Sequence, residues 1–309
     1  MPKSTAVILL NWNTPEHTTQ CINSLKQHCD ETLFDIIVAD NGSTDNSIAT
    51  LKKAFPDAIF IDNKENLGFA EGNNRALTYS LTNGYTYSLL LNTDTLVDED
   101  ILTKLTAHLN KYRNAAAVQP AIYWMHNKAA IWNGEGSFKK ISGSVTSATN
   151  VPNANQTFSR VDWVTGCCML LRNDALLKSG LFNKLFFLYY EDVDLSLRLR
   201  EAGFELHYLP SSKMYHEAGV SAKVSAPKKE GFLSPVIHYY TSRNRIWILR
   251  RYGNALFFPV YAIRFGLYYA AVLAYFKIRG RGQKATQLIK GIKEGISTPK
   301  RLIWPDKYL

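Results

Sequence analysis

Over its first 120 residues the chain switches repeatedly between two hydrophobic periods, and this alternation restricts the fold more than any other feature. Short apolar runs at Thr5–Leu10, Phe34–Ala39, Ala58–Ile61, Tyr87–Leu91 and Ala115–Ile122 are β-like. Between them, Glu16–His28, a segment from Ser43-Thr44-Asp45-Asn46 through Phe55, Phe69–Leu81 and Asp98–Tyr112 carry helical spacing. Thr14 is a candidate N-cap, with Pro15 at the first helical position, where a missing N–H costs nothing. Strands alternating with helices of this length predict an α/β fold, a mostly parallel but mixed sheet flanked by helices. Ligands of such sheets bind beyond the carboxyl ends of the strands.

Polar residues cluster at those ends. Asn11-Trp12-Asn13, Asp40-Asn41-Gly42, Asn66-Leu67-Gly68 and Asn92-Thr93-Asp94 each follow a predicted strand. One such cluster is ordinary turn chemistry, but four on one sheet edge converge in space. From about Met125 to Gln156 the pattern dissolves into Asn, Ser, Gly and Ala, which predicts a long irregular insertion. Order returns at Trp163. Cys168–Leu171 is apolar, Asp174–Ser179 resembles a short helix, and Asp192–Ala202 is a helix stopped by Gly203. Phe204–Leu209 is a further strand, followed by a turn at Pro210.

Three groups carry chemistry. An acid at the exit of a buried strand, as at Asp94, needs a counter-charge, which a divalent cation with a diphosphate would supply. Alternatively, Asp94 caps the helix that begins near Asp98. In Tyr190-Glu191-Asp192-Val193-Asp194 some acids complement the helix dipole. That run, however, emerges from the apolar and aromatic stretch Leu185–Tyr190, where a partly desolvated carboxylate gains basicity. Asp192 is the candidate general base. His216 returns near the same sheet edge and is either structural or a metal ligand.

Hydrophobic residues make up 46% of the 309, enough for a substantial core. The four cysteines form no C-x-x-C pair, which disfavours a disulfide framework or a zinc site and fits a reducing compartment. The apolar run at the N-terminus is too short for a signal h-region, so the chain is expected to stay in the cytoplasm. The formal net charge of +10 is uneven: residues from Thr241 onward carry +12 and the rest −2.

Asn11-Trp12-Asn13, Ala39-Asp40-Asn41-Gly42-Ser43-Thr44-Asp45, Asn66-Leu67-Gly68-Phe69-Ala70, Leu91-Asn92-Thr93-Asp94 and Glu191-Asp192-Val193-Asp194-Leu195-Ser196-Leu197-Arg198 occur in the order seen in family 2 glycosyltransferases. The chain resembles the bacterial rhamnosyltransferase-like branch of that family, over roughly residues 5–250. The resemblance implies a GT-A fold and an inverting transfer from a nucleotide-sugar, dTDP-rhamnose first and a UDP-hexose next. It implies that Asp40 holds the base, with Asn11 and Asn13 beside it. Asn66, Gly68, Asn74, Asn92 and Thr93 complete the nucleotide side. Asp94 and His216 would hold Mg²⁺ or Mn²⁺, Asp192 would be the catalytic base, and Trp163 and Glu191 would meet the acceptor. The expected acceptor is a saccharide or a lipid-diphosphate-linked sugar of bacterial surface polysaccharide assembly. Two positions depart from the family pattern. Asn92 stands where the first acid of Asp-x-Asp is expected, and Leu181-Phe182-Asn183 replaces Gly-Phe-Asp.

The charge break at Thr241 divides an expected catalytic domain at residues 1–240 from an expected helical basic tail at 241–309. Within the tail, Ala255–Ile278 is apolar and aromatic, interrupted by Pro259 and Arg264 and flanked by bases. That pattern suits a segment lying in an anionic membrane interface, which predicts a peripheral protein on the inner face of the cell membrane. Packing against the catalytic domain or a second copy of the chain is the alternative. A nucleotidyltransferase would need a Gly-rich basic loop after the first strand, and Asn11-Trp12-Asn13-Thr14-Pro15 has none. A nucleic-acid-binding module fits poorly with the acidic body, and no nucleic-acid partner is expected. A degenerate transferase that only binds nucleotide is disfavoured by Asp94 and Asp192.

Overall fold

The computed structural model describes residues 3–151, 156–219, 230 and 233–304. Strands β1 (Thr5–Asn11), β2 (Phe34–Asp40), β3 (Ile59–Asp62) and β4 (Tyr87–Leu91) alternate with helices α1 (Pro15–His28), α2 (Ser47–Ala54) and α3 (Gly68–Thr82). After β5 (Thr95–Leu96) come α4 (Ile101–Lys111) and β6 (Ala115–Trp124). Next are β7 (Ile131–Asn133), β8 (Gly136–Lys139), β9 (Ser144–Ser147), β10 (Ser159–Arg160) and β11 (Cys168–Arg172). Helices α5 (Asn173–Ser179) and α6 (Glu191–Glu201) and strand β12 (Glu205–His216) complete the α/β part.

The main sheet runs β10-β12-β6-β11-β4-β1-β2-β3, with β5 on β12 and β7 on β6. Its β4-β1-β2-β3 half is parallel, whereas β11 enters antiparallel between β4 and β6. Both faces are covered, so successive residues of β1 enter opposite cores: Val7 and Leu9 one, Ala6 and Ile8 the other. Register sets Asn11 beside Asp40, so the polar ends of β1 and β2 are neighbours by construction.

Several local expectations change. Thr14 makes no N-cap bond; its hydroxyl turns to Asn11 Oδ1 and Thr93 instead. Helix α2 starts only at Ser47, because the N–H groups of Ser43 and Thr44 are taken by Asp40 and Asn13. Helix α4 is capped by Asp100, which accepts from Thr103 N at 3.0 Å, so Asp94 is not its cap. The region from 125 to 156 is more ordered than its composition indicates. It contains β7 and the β8–β9 hairpin, which turns Phe138 into a buried cluster with Val145 packed on it. Residues 152–155 of that region lie outside the described ones. Pro210 ends nothing: β12 continues through it to His216, with a register shift between Leu209 and Lys213. Such an irregularity is where a strand tolerates proline.

The remaining helices are α7 (Pro235–Tyr252), α8 (Phe258–Ile278), α9 (Gly282–Ser297) and α10 (Lys300–Ile303). The expected domain boundary falls inside α7. Trp247, Ile248 and Tyr252 of α7, with Ile303 and Trp304, share one buried cluster with Phe186, Val193 and Leu197 of the α/β part. Each such side chain contributes on the order of 1.5–3 kcal/mol by leaving water. In α8, Pro259 lies in the first turn and interrupts nothing. Arg264 bonds the Ser142 carbonyl at 2.9 Å and the Ser144 hydroxyl. The segment Ala255–Ile278 is long and apolar enough to cross a membrane by length and composition, and only 11% of its most apolar window is buried.

Candidate active site

The donor-side residues form a hydrogen-bonded knot at the ends of β1 and β2. Asn11 is wholly buried and donates to Asp40 Oδ1 at 2.8 Å and to Ser43 Oγ at 3.1 Å. Asp40 also accepts from Ser43 N at 2.9 Å and Ser43 Oγ at 2.6 Å. Asn13, in a left-handed conformation at φ 54°, accepts from Thr44 N at 2.8 Å and Asp45 N at 3.3 Å. Asp40 is thereby held rigidly, 4% exposed, with both carboxylate oxygens accepting hydrogen bonds. Asn66 accepts from Gly68 N at 2.9 Å and from Asn41 Nδ2 at 3.1 Å. Asn41 was not singled out by the sequence, although it links Asn63, Asn66, Leu67 and Gly68. Gly68 has φ 73°, and a Cβ there would lie 2.5 Å from Phe187 O, so a close approach requires glycine.

Asn74, expected on the nucleotide side, donates its amide to Phe182 O at 2.9 Å and accepts from Phe182 N at 3.0 Å, which ties α3 to the chain before α6.

At the end of β4, Thr93 Oγ1 lies 3.4 Å from Thr14 Oγ1, and Asn92 N donates to Cys167 O at 2.9 Å. Asp94 Oδ1 lies 3.0 Å from His216 Nε2, because β5 pairs with β12 and brings His216 opposite Thr95. Trp132 packs edge-on against the imidazole at 4.2 Å, and His216 Nδ1 is buried with no partner among the described residues. Two ligand atoms on adjacent corners of an octahedral cation, each at 2.0–2.1 Å, sit about 3 Å apart, so this pair fits Mg²⁺ or Mn²⁺. Among the described residues no group of three or more His, Cys, Asp or Glu surrounds one point. The 3.0 Å spacing is also that of a hydrogen-bonded ion pair, and a cation here would take at most Asp94 and His216 from the described residues, with water and substrate oxygens completing its shell.

Asp192, the second residue of α6, accepts from Gly166 N at 3.1 Å and from its neighbour Val193 N at 2.8 Å. Burial pushes its carboxyl above the usual range, and those backbone N–H groups pull the other way. Glu191 is 5% exposed, with one carboxyl oxygen lacking a partner among the described residues; burial, and then the charge of Asp192, push it well up. Asp194 serves architecture: fully buried, it meets Arg198 Nε at 2.9 Å, Tyr252 Oη at 2.8 Å and Trp304 Nε1 at 2.9 Å. Trp163, expected to meet the acceptor, is 8% exposed and donates its N–H to Thr146 O at 3.1 Å.

The start of β11 joins the two halves. Gly166 N holds Asp192 while Cys167 O holds Asn92 N, and burial, Asp94 and Asp192 all push the Cys167 thiol up. A Cβ at Gly166 would lie 2.8 Å from the Phe69 ring. Thr165-Gly166-Cys167 carried no sequence signal beyond a glycine before an apolar run.

Residues 6–179 match the model of "Glycosyl transferase family 2". The chain is 23% identical over 232 residues to an N-acetylglucosaminyl-diphospho-decaprenol L-rhamnosyltransferase of Mycobacterium tuberculosis, covering 68% of this chain and 75% of that one. It is 29% identical over 163 residues to rhamnosyltransferase WbbL of Escherichia coli, covering 49% and 61%. It is 22% identical over 271 residues to dTDP-rhamnosyl transferase RfbF of Shigella flexneri, covering 82% and 83%. Among solved structures, GalNAc-T7 with UDP, GalNAc and Mn²⁺ superimposes with a TM-score of 0.62 at 13% identity, over 80% of this chain and 48% of that one. Residues 1–349 of S. aureus TarS with UDP give 0.52 at 16%, over 80% and 65%. At these identities the structures establish the shared GT-A-like fold, and the chain spans between about half and two thirds of their length.

Proposed function

Because this chain belongs to glycosyl transferase family 2, we propose that it is an inverting transferase that moves rhamnose from dTDP-rhamnose to a saccharide or lipid-diphosphate-linked acceptor in bacterial surface polysaccharide assembly. Support for rhamnose comes from the names of three relatives, of which that of RfbF alone names dTDP, and the M. tuberculosis relative's name supports a lipid-diphosphate acceptor. A UDP-hexose is the second donor, favoured by the UDP held in both solved structures.

One observation carries the mechanism: Asp192 stands at the mouth of α6 with its basicity raised by burial, across Thr165-Gly166-Cys167 from Asp94 and His216. In the proposed reaction the acceptor hydroxyl oxygen forms a bond to the anomeric carbon. Its proton passes to an Asp192 carboxylate oxygen. The anomeric bond to the diphosphate breaks, and its electron pair leaves with the diphosphate. Asp40 and its Asn11 and Ser43 partners orient the base. When held by Asp94 and His216, Mg²⁺ or Mn²⁺ supplies Lewis-acid neutralisation of the diphosphate charge. Asp192→Asn should cut transfer by about a thousandfold or more, beyond the 10²–10⁴ typical of a general base only if geometry is also lost. Its nucleotide affinity should stay within about twofold of wild type, since a neutral isostere alters little on the donor side. Near-normal turnover in that variant would remove Asp192 from the mechanism. A thermal-shift screen of dTDP- and UDP-sugars with and without Mn²⁺ tests donor and metal together.

We further propose that α8 lies on an anionic membrane from the cytoplasmic side. Leu256, Val260, Ile263, Leu267 and Ile278 are exposed along one face, with Lys277, Arg279 and Arg281 at its end. Truncating the tail cannot test this, because Asn183 bonds the Ile303 carbonyl and Asp194 bonds Trp304. Ile263→Glu with Leu267→Glu should abolish flotation with phosphatidylglycerol-containing liposomes. Unchanged flotation, or loss of a dimer in its place, would refute it.

A further inference from the structure

The loop Leu185–Tyr190 delivers Asp192 to the site in a shape its own residues disfavour. Phe187, Tyr189 and Tyr190 adopt φ values of 60°, 68° and 69°. Bulky side chains rarely occupy this left-handed region, so surrounding contacts must hold the loop. On one side the holder is α3: Phe187 O accepts from Phe69 N at 2.7 Å and Ala70 N at 3.3 Å. On the other side it is α7, in what the sequence marks as the basic tail.

Asn244, wholly buried, turns its amide onto three loop carbonyls: Phe186 and Leu188 at 2.9 Å and Tyr189 at 2.7 Å. Arg243 Nη2 reaches Leu185 O at 2.7 Å and Phe186 O at 3.2 Å, and its Nε donates to Asn244 Oδ1 at 2.9 Å, which fixes which end of the amide faces the loop. Arg245 Nε donates to Tyr190 Oη at 2.9 Å, and the Tyr240 ring stacks on Phe187 with centroids 5.0 Å apart. Four of the five carbonyls from Leu185 to Tyr189, all but that of Phe187, are thus gathered by two adjacent side chains. A buried amide spread over three carbonyls has few alternative partners, so it sets one loop geometry.

We propose that Asn244, locked by Arg243, is a positioning residue that holds the Leu185–Tyr190 loop and through it orients the Asp192 carboxylate toward the acceptor hydroxyl. The inference rests on the reading of Asp192 as the base. Through Phe187 O, the same loop also touches the helix start beside Asn66 and Gly68, so donor-side and base-side elements share one brace.

Asn244→Ala is compared with Arg250→Ala, which loses bonds from the same helix to Gly295 O and Thr298 O, both 2.7 Å, and touches no loop carbonyl. Turnover is followed as nucleoside diphosphate release with dTDP-rhamnose and with UDP-glucose, and backbone amide exchange of residues 185–192 is read without any donor. Asn244→Ala should lower kcat at least tenfold with the donor KM within twofold. It should move the acid limb of kcat/KM down toward the ordinary carboxylate range, as water reaches Asp192, and speed exchange in 185–192. Arg250→Ala should do none of these. Wild-type exchange and an unmoved acid limb in Asn244→Ala, or equal changes in Arg250→Ala, overturn the proposal. If Asn244→Ala does not fold, Arg243→Lys, which keeps the charge but loses the reach to Leu185 and Phe186, is scored by the same criteria. If neither donor turns over in wild type, the exchange result decides. Asp192→Asn run alongside separates the failures. An active Asp192→Asn sinks the base assignment, whereas an inactive one beside an unaltered Asn244→Ala sinks only the brace.

Discussion

Removing the indole of Trp304 tests whether the end of the chain belongs to the catalytic body. Trp304 is 1% exposed, packs edge-on against Phe186 and Tyr252 at 6.3 and 6.4 Å, and donates to Asp194 at 2.9 Å. Emptying a site of that size costs about 3–5 kcal/mol. Losing a hydrogen bond to a buried carboxylate costs about 1.5–3 kcal/mol more. The two losses share one side chain and do not simply add, so about 4–6 kcal/mol is expected for Trp304→Ala. At about 2 °C per kcal/mol for a chain of this size, the melting temperature should fall by roughly 10 °C. Trp304→Phe keeps most of the packing and loses the hydrogen bond, and should fall by about 3–6 °C. Circular dichroism melts at one protein concentration measure both. A shift under about 2 °C for Trp304→Ala would mean that Trp304 is not docked on α6 in solution, and the unity of α7–α10 with the α/β part would be refuted.

Three other outcomes follow from the site. Because burial raises Asp192, the acid limb of kcat/KM should lie above the ordinary carboxylate pKa of about 4, with activity lost as pH falls through it; a limb at or below that value argues against a desolvated base. Glu191 is also raised by burial, so its stabilising share is full below its unfolded pKa of about 4.3 and is lost as pH rises through the folded value; Glu191→Gln should therefore melt higher than wild type at pH 8, with the gap closing toward pH 4. His216→Ala should raise the Mn²⁺ concentration needed for half-maximal nucleoside diphosphate binding by about tenfold or more, read by isothermal titration, whereas an unchanged requirement would free His216 from the metal.

The α/β half was legible because its signals are local. The apolar runs of β1 and β4 report strands buried on two faces, and the polar letters just beyond them report the binding edge. Misplaced boundaries have a common cause. Ser43 and Thr44 look like a helix start, but their N–H groups are claimed by Asp40 and Asn13 from other elements. Pro210 looks like a stop, but a bulge opposite β6 absorbs it. Weak periodicity in 136–147 hid a hairpin whose order comes from Trp163 and Tyr261 packed against it.

The sequence alone determined which chemistry is available: carboxylates at Asp40, Asp94 and Asp192, an imidazole at His216, an apolar approach to α6 and a basic C-terminal quarter. Those follow from residue type and spacing along one chain. Tertiary structure decided what each group does. Of three acids within four residues, Glu191 keeps one buried carboxyl oxygen without a partner among the described residues, Asp192 accepts from Gly166 N, and Asp194 is a buried anchor bonded by Tyr252 and Trp304. The expected tail supplies Asn244, whose buried amide meets the Phe186, Leu188 and Tyr189 carbonyls. Burial and hydrogen-bond partners separate such roles, and both depend on residues 26 to 110 positions away, which no local pattern encodes.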